Sequence, residues 1–287
     1  MALSLKTPHP ARGAQWVREA FRLFGRKPLA FTGLFAAFLF AALMTAFVPY
    51  AGGVLQMMML PLLSLGFMVA SLSALKGGPV QPGQYIEPLQ GEPGRRRQLL
   101  SLCAVYGVAA VALLLLCNWL SDGQLAELQR LLGDGNAKPE DIDALAADRG
   151  VFVGTVTGIV GATLLSIPFW HAPALVFWGG QGLAQSLFSS TLAVWRAKGA
   201  FVVYALTWAA LIALFGLVTA VLLSLLGAPQ LAGLLALPGG LMFSTVFYVS
   251  LIFTFNDSFG QMGAEAPLPD TPPDAPPDTP PGPPTLH

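Results

Sequence analysis

The chain has 287 residues, of which 54% are hydrophobic and only 10% charged, with 15 Lys and Arg balancing 15 Asp and Glu. A water-exposed globular surface needs about 25% charged residues, so this composition excludes an ordinary soluble domain. The charge is also segregated, because 28–75, 98–121, 150–195 and 199–256 contain no Asp, Glu, Lys or Arg.

A bilayer crossing takes about 20 apolar residues. The blocks 28–75 and 199–256 are each long enough for two crossings, with turns rich in helix breakers at 49–53 (PYAGG) and 227–230 (GAPQ). The reading is an all-α integral membrane protein with six transmembrane helices, near 29–49, 53–75, 98–121, 151–178, 200–226 and 231–255. Barrel strands would show short alternating segments instead.

Residues 1–28 form a basic leader. Trp16, Val17, Ala20, Phe21 and Phe24 share one helical face and Arg18 and Arg22 the other. Such a helix is expected to lie in the headgroup layer, and its length and lack of a small-residue cleavage site set it apart from a signal peptide. A second amphipathic segment precedes the fifth span, with Leu183, Leu187, Phe188, Thr191, Leu192 and Trp195 on its apolar side and Arg196 and Lys198 closing it. Between spans two and three, a segment broken by Pro88 and Pro93 ends in Arg95, Arg96 and Arg97. These arginines, with Arg18, Arg22 and Arg196, are candidates for anionic-lipid contact, each charge being worth about 1 kcal/mol near an anionic surface. They serve equally as an orientation signal. Twelve basic residues fall on that side against Arg130, Lys138 and Arg149 on the other, which places both termini in the cytoplasm and the loop 122–149 outside. Leu125, Leu128, Leu131 and Leu132 predict a short helix in that loop, and Ile142 and Leu145 a second after Pro139.

The three return spans carry Pro61, Pro168 and Pro238, which suggests a threefold pseudo-repeat of helix pairs; prolines scattered by chance are the competing explanation. The fourth span is the most unusual. Gly154, Gly158 and Gly161 share a face suited to close helix packing. Further on, SIPFWHAPALVFW holds His171, the one ionisable side chain inside the apolar spans, next to Trp170 and between Pro168 and Pro173. The two prolines free the carbonyls of Leu164 and Phe169, which need donors in lipid; His171 or the Ser166 hydroxyl could supply one. A ligand-contacting or pH-sensing role for His171 stands beside this structural reading.

Catalytic groups are not apparent. The spans contain no carboxylate, no phosphate loop and no Cys–His cluster. Cys103 and Cys117 lie 14 residues apart on one helix, about 21 Å, too far to pair. No catalytic residue, metal or cofactor is expected. Membrane lipids are the expected partners, with other membrane proteins or a second copy as further candidates and nucleic acid not expected. The tail 258–287, with its Pro-Pro-Asp pattern, reads as disordered.

WVREAFRLFGRKPLAFTGL, FWHAPALVFW and SLFSSTLAVWRAKGAF together resemble an uncharacterised family of proteobacterial six-helix inner-membrane proteins. In that family a Trp-bearing basic helix leads into span one, and a Phe-Trp-(His/Ala)-Ala-Pro-Ala-Leu motif precedes a Ser-Leu-Phe helix ending in Arg. The resemblance covers about 11–257 and implies topology and location, not an activity. A looser likeness is to the membrane portion attached to some glycerophosphodiester phosphodiesterases; this chain shows no soluble catalytic domain like theirs, so their chemistry is not implied. Three readings of function follow. The first is a non-enzymatic protein that organises membrane partners or lipids, the second is a small permease or lipid-handling transporter built on the proline-broken helices, and the third is a membrane enzyme.

Overall fold

A computed structural model describes residues 5–49, 51–133, 138–228 and 231–260. Most of the tail 258–287 and parts of both predicted turns, at Tyr50 and at Pro229 and Gln230, lie outside the described residues. Every regular element among the described residues is helical: α1 (Arg12–Arg26), α2 (Pro28–Ala46), α3 (Gly52–Leu75), α4 (Pro93–Leu120), α5 (Gln124–Gly133), α6 (Pro139–Ala146), α7 (Arg149–Phe169), α8 (Ala172–Phe177), α9 (Leu183–Arg196), α10 (Lys198–Leu225) and α11 (Ala232–Phe259), with two 3-10 turns between α3 and α4. Six segments are long and apolar enough to cross a bilayer: α2, α3, α4, α7 with α8, α10 and α11.

Local chemistry sets several boundaries. Pro28 and Pro93 open α2 and α4, where the missing N–H costs nothing. Asp148 caps α7 by accepting from the Gly150 amide at 2.5 Å. The Arg95–Arg97 triplet belongs to the first turn of α4 rather than to the connection before it. Helix α11 continues to Phe259, into the stretch read as tail.

The amphipathic helix α1 is not laid out on lipid. Trp16, Val17, Ala20 and Leu23 are buried against α10 and α11. Trp16 meets Phe201 and Tyr204 of α10, and Phe21 meets Trp208 of α10 and Phe243 of α11. Where an apolar face has a protein partner of matching shape, dispersion and hydrogen bonds favour packing over solvation by lipid tails. The anchor is Asp257, near the end of α11. It accepts from Arg12 Nε at 2.5 Å, from Arg12 Nη2 at 3.1 Å and from the Trp16 indole N–H at 2.7 Å. Two parallel bonds from one guanidinium fix orientation as well as distance.

The segment between α3 and α4 also turns inward. Tyr85 lies against Gly66 of α3 and donates from its hydroxyl to the Leu34 carbonyl of α2 at 3.0 Å. In α9 the arrangement is reversed relative to α1. Its buried face is Ser186, Ser190 and Ala193, while Phe188 and Trp195 are exposed. The three prolines also behave differently: α3 and α11 run unbroken through Pro61 and Pro238, and only the fourth span divides, into α7 and α8.

Close approach of α1 to α10 depends on Gly13, where a Cβ would collide with the Ala200 carbonyl and the Tyr204 amide. Gly25, on the same helix, has open space around it. Gly13→Ala is expected to destabilise the protein by about 1–3 kcal/mol through overpacking. Gly25→Ala is expected to be neutral or to stabilise by up to about 1 kcal/mol through helix propensity. Thermal unfolding of the two variants in detergent checks the contrast.

Candidate functional site: a break in the fourth span beside a lateral crevice

The fourth span breaks at Trp170 and His171, between Pro168 and Pro173. In an unbroken helix the His171 amide would donate to the Ile167 carbonyl. Here the Ser190 hydroxyl of α9 stands between them, accepting from the His171 amide at 3.0 Å and donating to the Ile167 carbonyl at 3.0 Å. A single side chain thus repairs both halves of the lost bond. Neither residue the sequence offered for such a repair performs it. Ser166 donates to Thr163 within its own helix, and both His171 ring nitrogens lack partners among the described residues. The Ser186/Ser190/Ala193 stripe at helical spacing was the available signal for Ser190, but its large apolar neighbours dominate the pattern.

The break sends adjacent side chains in different directions. His171 is fully buried among Phe201, Phe255 and Phe259. Trp170 donates to the Thr254 hydroxyl at 3.1 Å and sets its ring edge-on to Phe201, Tyr204 and Phe247. Of the two, Trp170 lines a crevice and His171 does not.

This crevice, of about 870 Å³, lies between α7 and α10 with α11 as its floor. Its walls are mainly apolar and aromatic. Thr163, Ser166 and Ile167 come from α7, Phe201, Ala205, Trp208 and Ile212 from α10, and Phe243, Ser244 and Phe247 from α11. Lys198 closes one end beside Trp195. From Lys198 to Ile212 the α10 wall runs about 21 Å at 1.5 Å per residue. The same wall is backed by α1, whose Trp16 and Phe21 pack on Phe201, Tyr204 and Trp208. Tyr204 and Ser250 share a buried hydrogen bond of 2.6 Å behind it. The neighbouring Trp208 indole N–H has no acceptor in hydrogen-bond geometry among the described residues.

The glycine face of α7 lies elsewhere, on α4. A Cβ at Gly154 would meet Ser121 and the Cys117 carbonyl, one at Gly158 the Cys117 sulfur, and one at Gly161 the Leu113 side chain. The arginines also separate. Arg18 and Arg22 occupy the exposed face of α1, Arg95, Arg96 and Arg97 the start of α4, and Arg196 the end of α9. Arg95 makes a long ion pair with Glu92, 3.9 Å. Only Arg196 is close in sequence to the crevice-lining Trp195 and Lys198. No group of three or more metal-binding side chains occurs among the described residues.

The repair at the break is testable. Ser190→Ala leaves a buried N–H and a part-buried carbonyl unpaired, and is expected to cost about 2–6 kcal/mol at roughly 1–3 per group. Ser166→Ala, which removes only a bond within one helix turn, is expected to cost well under 1 kcal/mol. Denaturation midpoints of the two variants in the same detergent check this.

No protein-family model and no solved structure matches the chain. A probable inner membrane protein of Burkholderia thailandensis is 31% identical to it over 265 residues, covering 90% of this chain and 95% of that protein. An alignment of that identity and extent spans all six hydrophobic helices, and the chain belongs to the same family of polytopic inner-membrane proteins.

Proposed function

We propose that this protein is a non-enzymatic membrane component that holds bilayer lipid in the crevice between α7 and α10 and so organises its surroundings. The observation that carries this reading is the crevice itself. It is apolar, it lies between two helices whose outward faces are the least covered of the six spans, and it has a cation at one end only. A length of about 21 Å accommodates an acyl chain from one leaflet of a hydrocarbon core about 30 Å thick. Its volume falls within the ~300–1,000 Å³ of small-molecule sites.

The lipid reading is tested by incorporating a photoreactive amino acid at Val202, which lines the crevice, and identifying the adduct by mass spectrometry. Phospholipid adducts are expected, and Ala205→Trp, which fills the crevice, is expected to reduce them at least severalfold. Adducts with protein alone would overturn the reading. Lipid scrambling by the purified protein in liposomes would instead favour the lipid-handling transporter.

The excess of basic residues beside α1, α4 and α9 supports an orientation with these ends and both termini in the cytoplasm. Cys103 and Cys117 are buried, so the background for thiol labelling is low. A cysteine replacing Gln129 on α5, an exposed position, is expected to react with an impermeant maleimide in intact spheroplasts. Reaction only after lysis would reverse the orientation.

A further inference from the structure

We infer that the crevice selects anionic phospholipids, with the lipid phosphate held at the corner where α9 ends and α10 begins. This inference rests on the lipid-holding reading above and adds the headgroup chemistry.

Lys198 is the first residue of α10, a helix of 28 residues. Its N-cap, Ala197, is also the C-cap of α9, so the negative end of one helix dipole meets the positive end of the other and the net charge of the corner comes from its side chains. Nothing on α10 offsets that charge. The cap residue Ala197 has no acceptor, and no acidic residue opens the helix. The sequence from 150 to 256 contains no carboxylate at all, and Asp257 is committed to Arg12 and Trp16. Arg196 adds a second exposed cation two residues earlier.

The position of the charge relative to the groove gives it meaning. Lys198 and Trp195 line the same crevice as Trp170 and Phe247, and the Lys198 ammonium lies 5.3 Å from the centre of the Trp195 ring. That ring is 67% exposed, as expected of a tryptophan seated at the headgroup level. A cation–π contact orients the ammonium while leaving its hydrogen-bonding capacity for a phosphate. An apolar channel of acyl-chain length ending in Lys198 and an interfacial tryptophan, with Arg196 two residues earlier on the chain, is complementary to a lipid with net negative charge. Phosphatidylethanolamine, which carries its own ammonium next to the phosphate, gains less from the same end.

The full-length protein, purified in detergent, is titrated with phosphatidylglycerol and with phosphatidylethanolamine of matched chains, and bound lipid is counted by intact-complex mass spectrometry. Phosphatidylglycerol is expected to be preferred, and Lys198→Gln to reduce that preference about fivefold, the equivalent of about 1 kcal/mol for one charge at an anionic interface. Lys198→Arg is expected to keep it, which separates charge from any loss of folding. Ala205→Trp is expected to diminish retention of both lipids. Equal retention of the two lipids by the wild type, or an unchanged preference in Lys198→Gln, overturns the headgroup inference while leaving the crevice reading intact. So does loss of the preference on neutralising Arg95, Arg96 and Arg97 but not Lys198, which would move the site to α4. Failure of both lipids to bind overturns the crevice reading itself.

Discussion

A backbone surrounded by hydrocarbon must satisfy its own polar groups, and most of this structure follows from that constraint. Helices are the only regular elements among the described residues, and five of the six apolar spans keep their hydrogen bonding within a continuous helix. The fourth does not, because two prolines five residues apart cannot both be absorbed by one regular helix. Its interruption is tolerated where another helix can insert a hydroxyl, and α9 brings Ser190 to that point. The inner face of α9 is therefore rich in serine and alanine, with Leu183 and Leu187 half-buried beside it, while Phe188 and Trp195 are exposed. Small polar residues inward and the largest aromatic ones outward depart from the pattern of a soluble bundle. With lipid as the solvent, burying leucine gains little, whereas an unpaired backbone carbonyl is costly.

The crevice follows from the same economy of contacts. Helix α1 packs on both α10 and α11, and it contacts α10 more extensively than α11 does. Trp16 and Phe21 thereby act as spacers behind the aromatic wall of α10, and the space remaining on its other side is the groove facing α7. The groove's aromatic lining, carried largely by α10 and α11, is thus backed by the element that the amino-acid pattern assigns to the membrane surface.

The legibility of this architecture was uneven for physical reasons. Six spans could be read directly, because long uncharged runs have no other stable arrangement in a bilayer. The glycine spacing of α7 and the proline break also stood out, since both are properties of a single helix. Partner identity did not. Amphipathicity reports that α1 has an apolar face, not whether lipid or protein covers it, and Asp257 lies 241 residues from the Trp16 it binds. Tyr85 sits in a proline-rich connection with no periodic signal, yet it reaches Leu34 through the interior. His171 stands out in the sequence as the sole histidine in the spans. Its ring makes no hydrogen bond among the described residues, and its amide, the least distinctive part of it, takes part in the repair.

The contact between Arg12, Trp16 and Asp257 also has a consequence in time. The chain emerges from its N-terminus, so α1 is complete roughly 230 residues before Asp257 is made, on the order of 10–50 s at about 5–20 residues per second. Throughout that interval the apolar side of α1 has neither α10 nor α11 to cover it, and an amphipathic helix in that condition rests at the bilayer surface. The apolar face read from the sequence is thus without its protein partner for most of synthesis. The last turn of α11 supplies the anchor of α1, so that this contact closes only when the sixth helix is in place.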